Sequence, residues 1–144
     1  MAEAMISVEE ARAMFAANFA PWVRDLGLEI EEVGRGFARC RVPANTRLNR
    51  SGGILSGQAM MAIADTAMVF AVRSALEFDA DTVTVQQSTS FMRGVANADF
   101  ICEARVVKEG RTMMFGTCLM YADGQRDKPA AEATLVYAIV PRRG

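Results

Sequence analysis

Residues 57–72 are built from Gly, Gln, Ala, Met, Ile, Thr, Val and Phe, broken by a single charge at Asp65. A run that is apolar on every face predicts a long buried helix over about residues 57–76. Upstream, Ser7-Val8-Glu9-Glu10 has the spacing of a capping box, in which a hydroxyl and a carboxylate each satisfy an orphan amide at a helix start. The helix it opens carries the stripe Val8, Ala11, Phe15 and Phe19, continued by Trp22, and should end at Pro21. Residues 28–33 and 37–42 alternate apolar with charged positions around Gly34-Arg35-Gly36, which reads as a hairpin. Residues 43–53 read as irregular. Four further strands are expected at 82–92, 100–108, 112–122 and 131–140, with turns at Glu109-Gly110 and Asp123-Gly124.

Six strands and one long buried helix make an α+β domain in which an antiparallel sheet wraps the helix. The 144 residues suit one domain, 1–144, with 1–25 as N-terminal helix and lead-in, and a chain of this length buries about 70% of its unfolded surface. An open strand at the edge of such a sheet invites pairing with a second copy, so topology alone accommodates a dimer.

Charge narrows the partners. Sixteen basic against seventeen acidic residues leave a net charge of -1, with no basic run, so nucleic acid is not an expected partner. Glu3, Glu9 and Glu10 interrupt the apolar N-terminal stretch and argue against a leader, and no uncharged stretch approaches membrane-spanning length. A cytoplasmic protein is expected. Cys40, Cys102 and Cys118 lack metal-binding spacing and fall in strands, where free buried thiols are expected. The chain has no histidine. That removes Ser-His-Asp and Cys-His catalysis, a His-based dehydratase and every His-containing zinc site, leaving acid–base work to a carboxylate, hydroxyl or amide.

A carboxylate inside an apolar helix needs pairing, hydrogen bonds or neutralisation, and such sites are enriched where chemistry happens. The alternative for Asp65 is a structural acid held by nearby hydroxyls or amides. The segment Asn49-Arg50-Ser51-Gly52-Gly53-Ile54-Leu55-Ser56-Gly57-Gln58 leads into the helix, and Asp65 follows Gly57 by eight residues. In this turn-and-helix arrangement the chain resembles the hotdog-fold acyl-CoA thioesterases, in the branch of the phenylacetate-degradation thioesterases. Asn49, Gly57 and Asp65 match the family's motif, and the strand Thr84-Val85-Gln86-Gln87-Ser88-Thr89-Ser90-Phe91-Met92 puts Thr84 where the family has a small hydroxyl residue. Two positions depart from it: Ser56 stands in place of the family's His, and Gln58 in place of its second glycine.

The resemblance implies a hotdog homo-oligomer, a dimer or a dimer of dimers, that hydrolyses acyl-CoA with no cofactor or metal. Asn49 and Gly57 would come from one protomer and Asp65 and Thr84 from its neighbour. Helix geometry points the same way, because eight residues rise about 12 Å, too far for Gly57 and Asp65 of one chain to touch one carbonyl. In this scheme the Gly57 amide stabilises the oxyanion, and Asp65 is the nucleophile or the base for water. Ser56 also suits an N-cap. Ser56, Gln58, Met61 and Met68 are candidate substrate contacts, and Arg50, Arg93, Lys108 and Arg111 candidate contacts for coenzyme A phosphates. The rival reading is a noncatalytic acyl-CoA or aromatic-ligand binding protein on the same scaffold, which the changes at Ser56 and Gln58 favour.

Overall fold

A computed structural model describes residues 3–142; the outermost residues of the expected 1–144 domain lie outside the described ones. Helix α1 (Val8–Asn18) opens with the expected capping box: Ser7 Oγ accepts from the Glu10 amide at 3.0 Å, and Glu10 Oε1 accepts from the Ser7 amide at 3.2 Å. Pro21 does not close this helix. The chain leaves helical geometry at Phe19, and Pro21 instead opens a short second helix, α2 (Pro21–Arg24), at whose first position a missing N–H costs nothing. Phe15 and Phe19 dock on Phe70 of the central helix, with ring centroids 6.3 and 5.4 Å away. Trp22 leaves the stripe and stands 64% exposed.

The hairpin forms as β1 (Glu29–Gly34) and β2 (Phe37–Val42). The stretch read as irregular contains a 3-10 turn, Thr46–Leu48, and a two-stranded pair, β3 (Asn49–Arg50) with β4 (Ile54–Leu55). Two-residue strands are too short to show periodicity, and Gly52 and Gly53, at φ +96° and +77°, make the turn between them. The central helix α3 (Gly57–Ala75) follows, then β5 (Ala80–Phe91), β6 (Phe100–Glu109), β7 (Met113–Ala122) and β8 (Ala131–Pro141). Six strands form one antiparallel sheet in the order β1-β2-β6-β7-β8-β5. Its inner face, with Ile30, Cys40, Phe100 and Leu135, wraps Ile63, Ala67 and Phe70 of α3. Cys40 and Cys102 face each other across β2 and β6, and both are free and buried, as is Cys118. Burial pushes the Cys40 thiol well above its ordinary value, so it stays protonated.

The central helix is not covered all round. Gln58 and Met61 are exposed, and Ala62, Asp65 and Val69 are only half-buried, at the spacing of one helical face. The sheet and α1 cover the other faces, and among the described residues only the edge of the sheet touches this one, through Thr84, Gln87 and Tyr137. Apolar periodicity reports that a face avoids water; it does not report which chain covers it. Strand β5 is likewise open: it forms one edge of the sheet and exposes Val83, Val85 and Phe91 by about half their surface. Among the described residues no helix is long and apolar enough to cross a membrane.

Helix and sheet approach closely at Gly116 of β7. A Cβ there would lie 2.5 Å from Met68 Cε and 3.0 Å from the Arg105 carbonyl oxygen, and Met68 is 1% exposed. Gly116→Ala should therefore cost about 1–3 kcal/mol of stability by overpacking. A denaturation midpoint equal to that of the wild type would show that Met68 yields without cost.

Candidate active site

The start of α3 is built by the short β3–β4 pair. Asn49 pairs with Leu55, and the next amide, Ser56, donates to the Leu48 carbonyl at 3.0 Å, which fixes Asn49 beside the first helical turn. Ser56 is extended, with ψ 149°, and its Oγ accepts from the Ala59 amide at 3.2 Å, the geometry of an N-cap. The Gly57 amide has no hydrogen-bond partner among the described residues. It is one of the orphan donors that give a helix start its affinity for negative charge. A Cβ on Gly57 would come within 3.3 Å of the Phe91 ring, so a side chain there would crowd the strand beside it.

Two clefts share this opening turn. One, of about 380 Å³, is lined by Gly57, Met60, Phe91 and Met92 with Arg50 and Arg93. The other, of about 350 Å³, is lined by Asn49, Ser56 and Gln58 with Trp22, Leu26 and Leu48. Arg50 and Arg93 thus stand near the helix start. Lys108 instead lies over the Phe115 ring, 5.9 Å from its centroid, and Arg111 is an exposed residue between β6 and β7.

Two turns along α3, Asp65 is held from the sheet. Its Oδ1 accepts from Thr84 Oγ1 at 2.8 Å and from Tyr137 Oη at 2.5 Å, and the same phenol lies 2.6 Å from the Asp65 carbonyl oxygen. Oδ2 has no donor among the described residues. Thr84 and Tyr137 are direct partners across β5 and β8, so one rung of the ladder supplies both donors. Immediately after that rung the register slips by one residue at Val85, a β-bulge. Burial, and then the facing Asp65 carboxylate, push Tyr137 far above an ordinary phenol, so its proton stays in place as a donor. Asp65 itself is half-buried in the single chain, not sealed in the core as its helix suggested.

The structure therefore brings Asp65 and Thr84 together, and Asn49, Ser56 and Gln58 together, while Gly57 and Asp65 of one chain remain two helical turns apart. Met61 lies on the open face, 39% exposed, with its carbonyl oxygen accepting from Gln87 Nε2 at 3.2 Å, whereas Met68 is in the core. Tyr137 was missed from sequence. The one available signal was a phenol in the inward alternation Ala131, Ala133, Leu135, Tyr137, Ile139, since a buried phenol needs a hydrogen-bond partner.

The sequence and the fold both have known relatives. Residues 52–128 match the family model described as thioesterase superfamily. A candidate esterase of Saccharolobus solfataricus is 33% identical over 62% of this chain and 59% of its own length. Another, from Sulfurisphaera tokodaii, is 30% identical over 73% of this chain and 77% of the relative. Among solved structures, a candidate thioesterase from Silicibacter sp. TM1040 superposes with TM-score 0.85 at 30% identity, covering 96% of this chain and 95% of that one. The E. coli PaaI protein from the phenylacetic acid degradation operon shares the fold at TM-score 0.79 and 20% identity, over 92% of this chain and 91% of its own. The sheet wrapped on one long helix is thus the hotdog fold, and the chain belongs to the thioesterase superfamily.

Proposed function

We propose that the protein hydrolyses acyl-CoA thioesters to free acid and coenzyme A at a site shared by two copies of the chain. The observation that carries this reading is the state of Asp65. A carboxyl group with one oxygen tied by Thr84 and Tyr137 and the other without a donor, on an open helix face, is oriented and keeps one oxygen available. If α3 of a second copy lies antiparallel on that face, the Gly57 amide of one chain comes opposite Asp65 of the other, and twofold symmetry makes two equivalent sites. The exposed edge of β5 supports the same association, because two such edges can extend one sheet across both copies.

In this scheme the thioester carbonyl lies against the Gly57 amide, which stabilises the oxyanion together with the helix dipole. Asn49 holds the carbonyl or the water. Asp65 either takes a proton from the attacking water or attacks the carbonyl itself to form an anhydride that water then opens. In both routes the thiolate of coenzyme A leaves. Arg50 and Arg93, beside Gly57, suit the phosphates of the coenzyme. No metal or cofactor is invoked. The test is release of free thiol from a panel of aryl, short and medium acyl-CoAs by the purified protein, and failure with every member ends the reading.

One observation favours the noncatalytic alternative. The Ser56 hydroxyl, standing where the family has an imidazole, accepts from the Ala59 amide as a helix cap, which leaves its short O–H but no imidazole to meet a substrate. Under that alternative the panel yields saturable binding and no thiol.

Tyr137 offers a second check. Tyr137→Phe removes one of the two donors on Asp65 Oδ1, and hydrogen bonds to charged groups contribute about 1.5–3 kcal/mol, so kcat should fall at least roughly tenfold with KM nearly constant. Wild-type kcat in a folded variant would make the phenol a packing residue only.

A further inference from the structure

The open face of α3 is symmetric in its spacing. From the helix start, its exposed or half-buried side chains are Gln58, Met61, Ala62 and Asp65, at intervals of three, one and three residues. Positions three and four apart share a helical face, and this series reads the same from either end, with its centre between Met61 and Ala62. A twofold axis through that centre packs two antiparallel copies of α3 with Met61 of one over the small Ala62 of the other. Gln58 of one copy then faces Asp65 of the other.

Both of these side chains have unused hydrogen-bonding capacity. Gln58 is exposed, and its amide has no partner among the described residues. Asp65 has one oxygen held by Thr84 and Tyr137 and the other without a donor. In the ionised form that a base requires, Asp65 Oδ2 is an acceptor, as is the Gln58 amide oxygen, and two acceptors do not bond each other. A water between them donates one hydrogen to each and turns its lone pairs toward a third group. That group is the thioester carbonyl, because Gln58 directly follows Gly57, the proposed oxyanion donor, and lines the cleft at the helix start with Asn49 and Ser56.

We propose that Gln58 is a further catalytic residue, which holds the attacking water together with Asp65 of the other copy; the inference rests on the thioesterase reading above and deepens it. As the water oxygen bonds to the acyl carbon, one hydrogen passes to Asp65 Oδ2 and the other stays, held by Gln58 Oε1. The carbon–sulfur bond then breaks with its electron pair on sulfur, and the proton on Asp65 passes to the thiolate, which yields the free acid and coenzyme A. An amide orients water without titrating, which suits a chain that has no histidine. Gln58 is also one of the two departures from the family's motif, so the role belongs to this chain. Asn49 is left to the carbonyl.

Gln58→Met keeps the length of the side chain and removes the amide. On a thioester that the wild type hydrolyses, kcat should fall roughly tenfold, with KM and the thermal midpoint nearly constant. Wild-type kcat in the folded variant overturns the proposal. So does a loss carried by KM alone, or one that follows the folded fraction. After a single turnover in heavy-oxygen water, label in Asp65 also overturns it, because the acid has then attacked the carbonyl itself.

Placement is tested without activity. The double variant Gln58→Cys/Asp65→Cys is treated with dibromobimane, which bridges only close thiols, and should give a covalent dimer; the native cysteines are buried. Each single variant should give little, because position 58 and its own copy lie as far apart along the axis as 58 and 65, about 10 Å. No covalent dimer from the double variant, or as much from a single one, overturns the pairing. Should the wild type hydrolyse no thioester, the function proposed above fails and the water role falls with it, while the crosslink still decides whether Gln58 faces Asp65.

Discussion

Asp65→Asn is expected to lower turnover at least about a hundredfold while leaving ligand binding nearly intact. The reason lies in what the substitution keeps. Asn has the same volume and still offers an oxygen to Thr84 and Tyr137, so the rung from the sheet to the helix survives. Its nitrogen, in place of the oxygen without a donor, can neither take a proton nor attack a carbonyl. Measuring kcat, binding of a non-hydrolysable analogue and the thermal midpoint together separates the roles, because a structural acid would show itself in stability with activity following the folded fraction. Wild-type turnover in Asp65→Asn would end the mechanism. A single turnover in heavy-oxygen water tests the nucleophilic form: label in Asp65 shows an anhydride opened at the Asp65 carbonyl, which a base acting on water cannot produce.

A larger effect is expected from mixing two inactive variants. Gly57→Pro removes the proposed oxyanion donor, and the local backbone accommodates it: Ser56 is already extended, as a residue before proline must be, and the first helical position tolerates proline. Phe91, which is half-exposed, must shift to admit the ring. Gly57→Pro and Asp65→Asn should each be inactive alone. Unfolded together in equal amounts and refolded, they should form about half hybrid dimers, each with one doubly damaged site and one intact site, so roughly a quarter of wild-type activity should return. Verified hybrids of folded subunits that recover nothing would rule out the division of Gly57 and Asp65 between two chains.

These expectations draw unevenly on what could be read from the residues alone. The capping box at Ser7, the long helix and the strands from Phe37 onward were legible because each is specified by neighbours within a few positions. The β3–β4 pair was not, since two residues per strand give no period. Pro21 was read as a stop because its missing amide forbids a helix interior, yet the same property suits the first position of a new helix. Asp65 stood out as the lone charge in its helix, but its second donor, Tyr137, is 72 residues away and meets it through a strand register that composition cannot reveal. The apolar open face of α3 carried no sign of which chain would cover it.

The slip at Val85 also lets one strand serve both the start and the middle of a helix. Side chains alternate in a strand, so Thr84 and Gln87, three positions apart, belong on opposite faces. With one residue inserted between them the phase of β5 reverses, and both reach α3: Thr84 to the Asp65 carboxylate and Gln87 to the Met61 carbonyl. Phe91, in the new phase, then lies over Gly57. A strictly regular β5 could face either Asp65 or the helix start, but not both; the extra residue works as a change of parity that lets a single strand touch the acid in one frame and the amide end in the other.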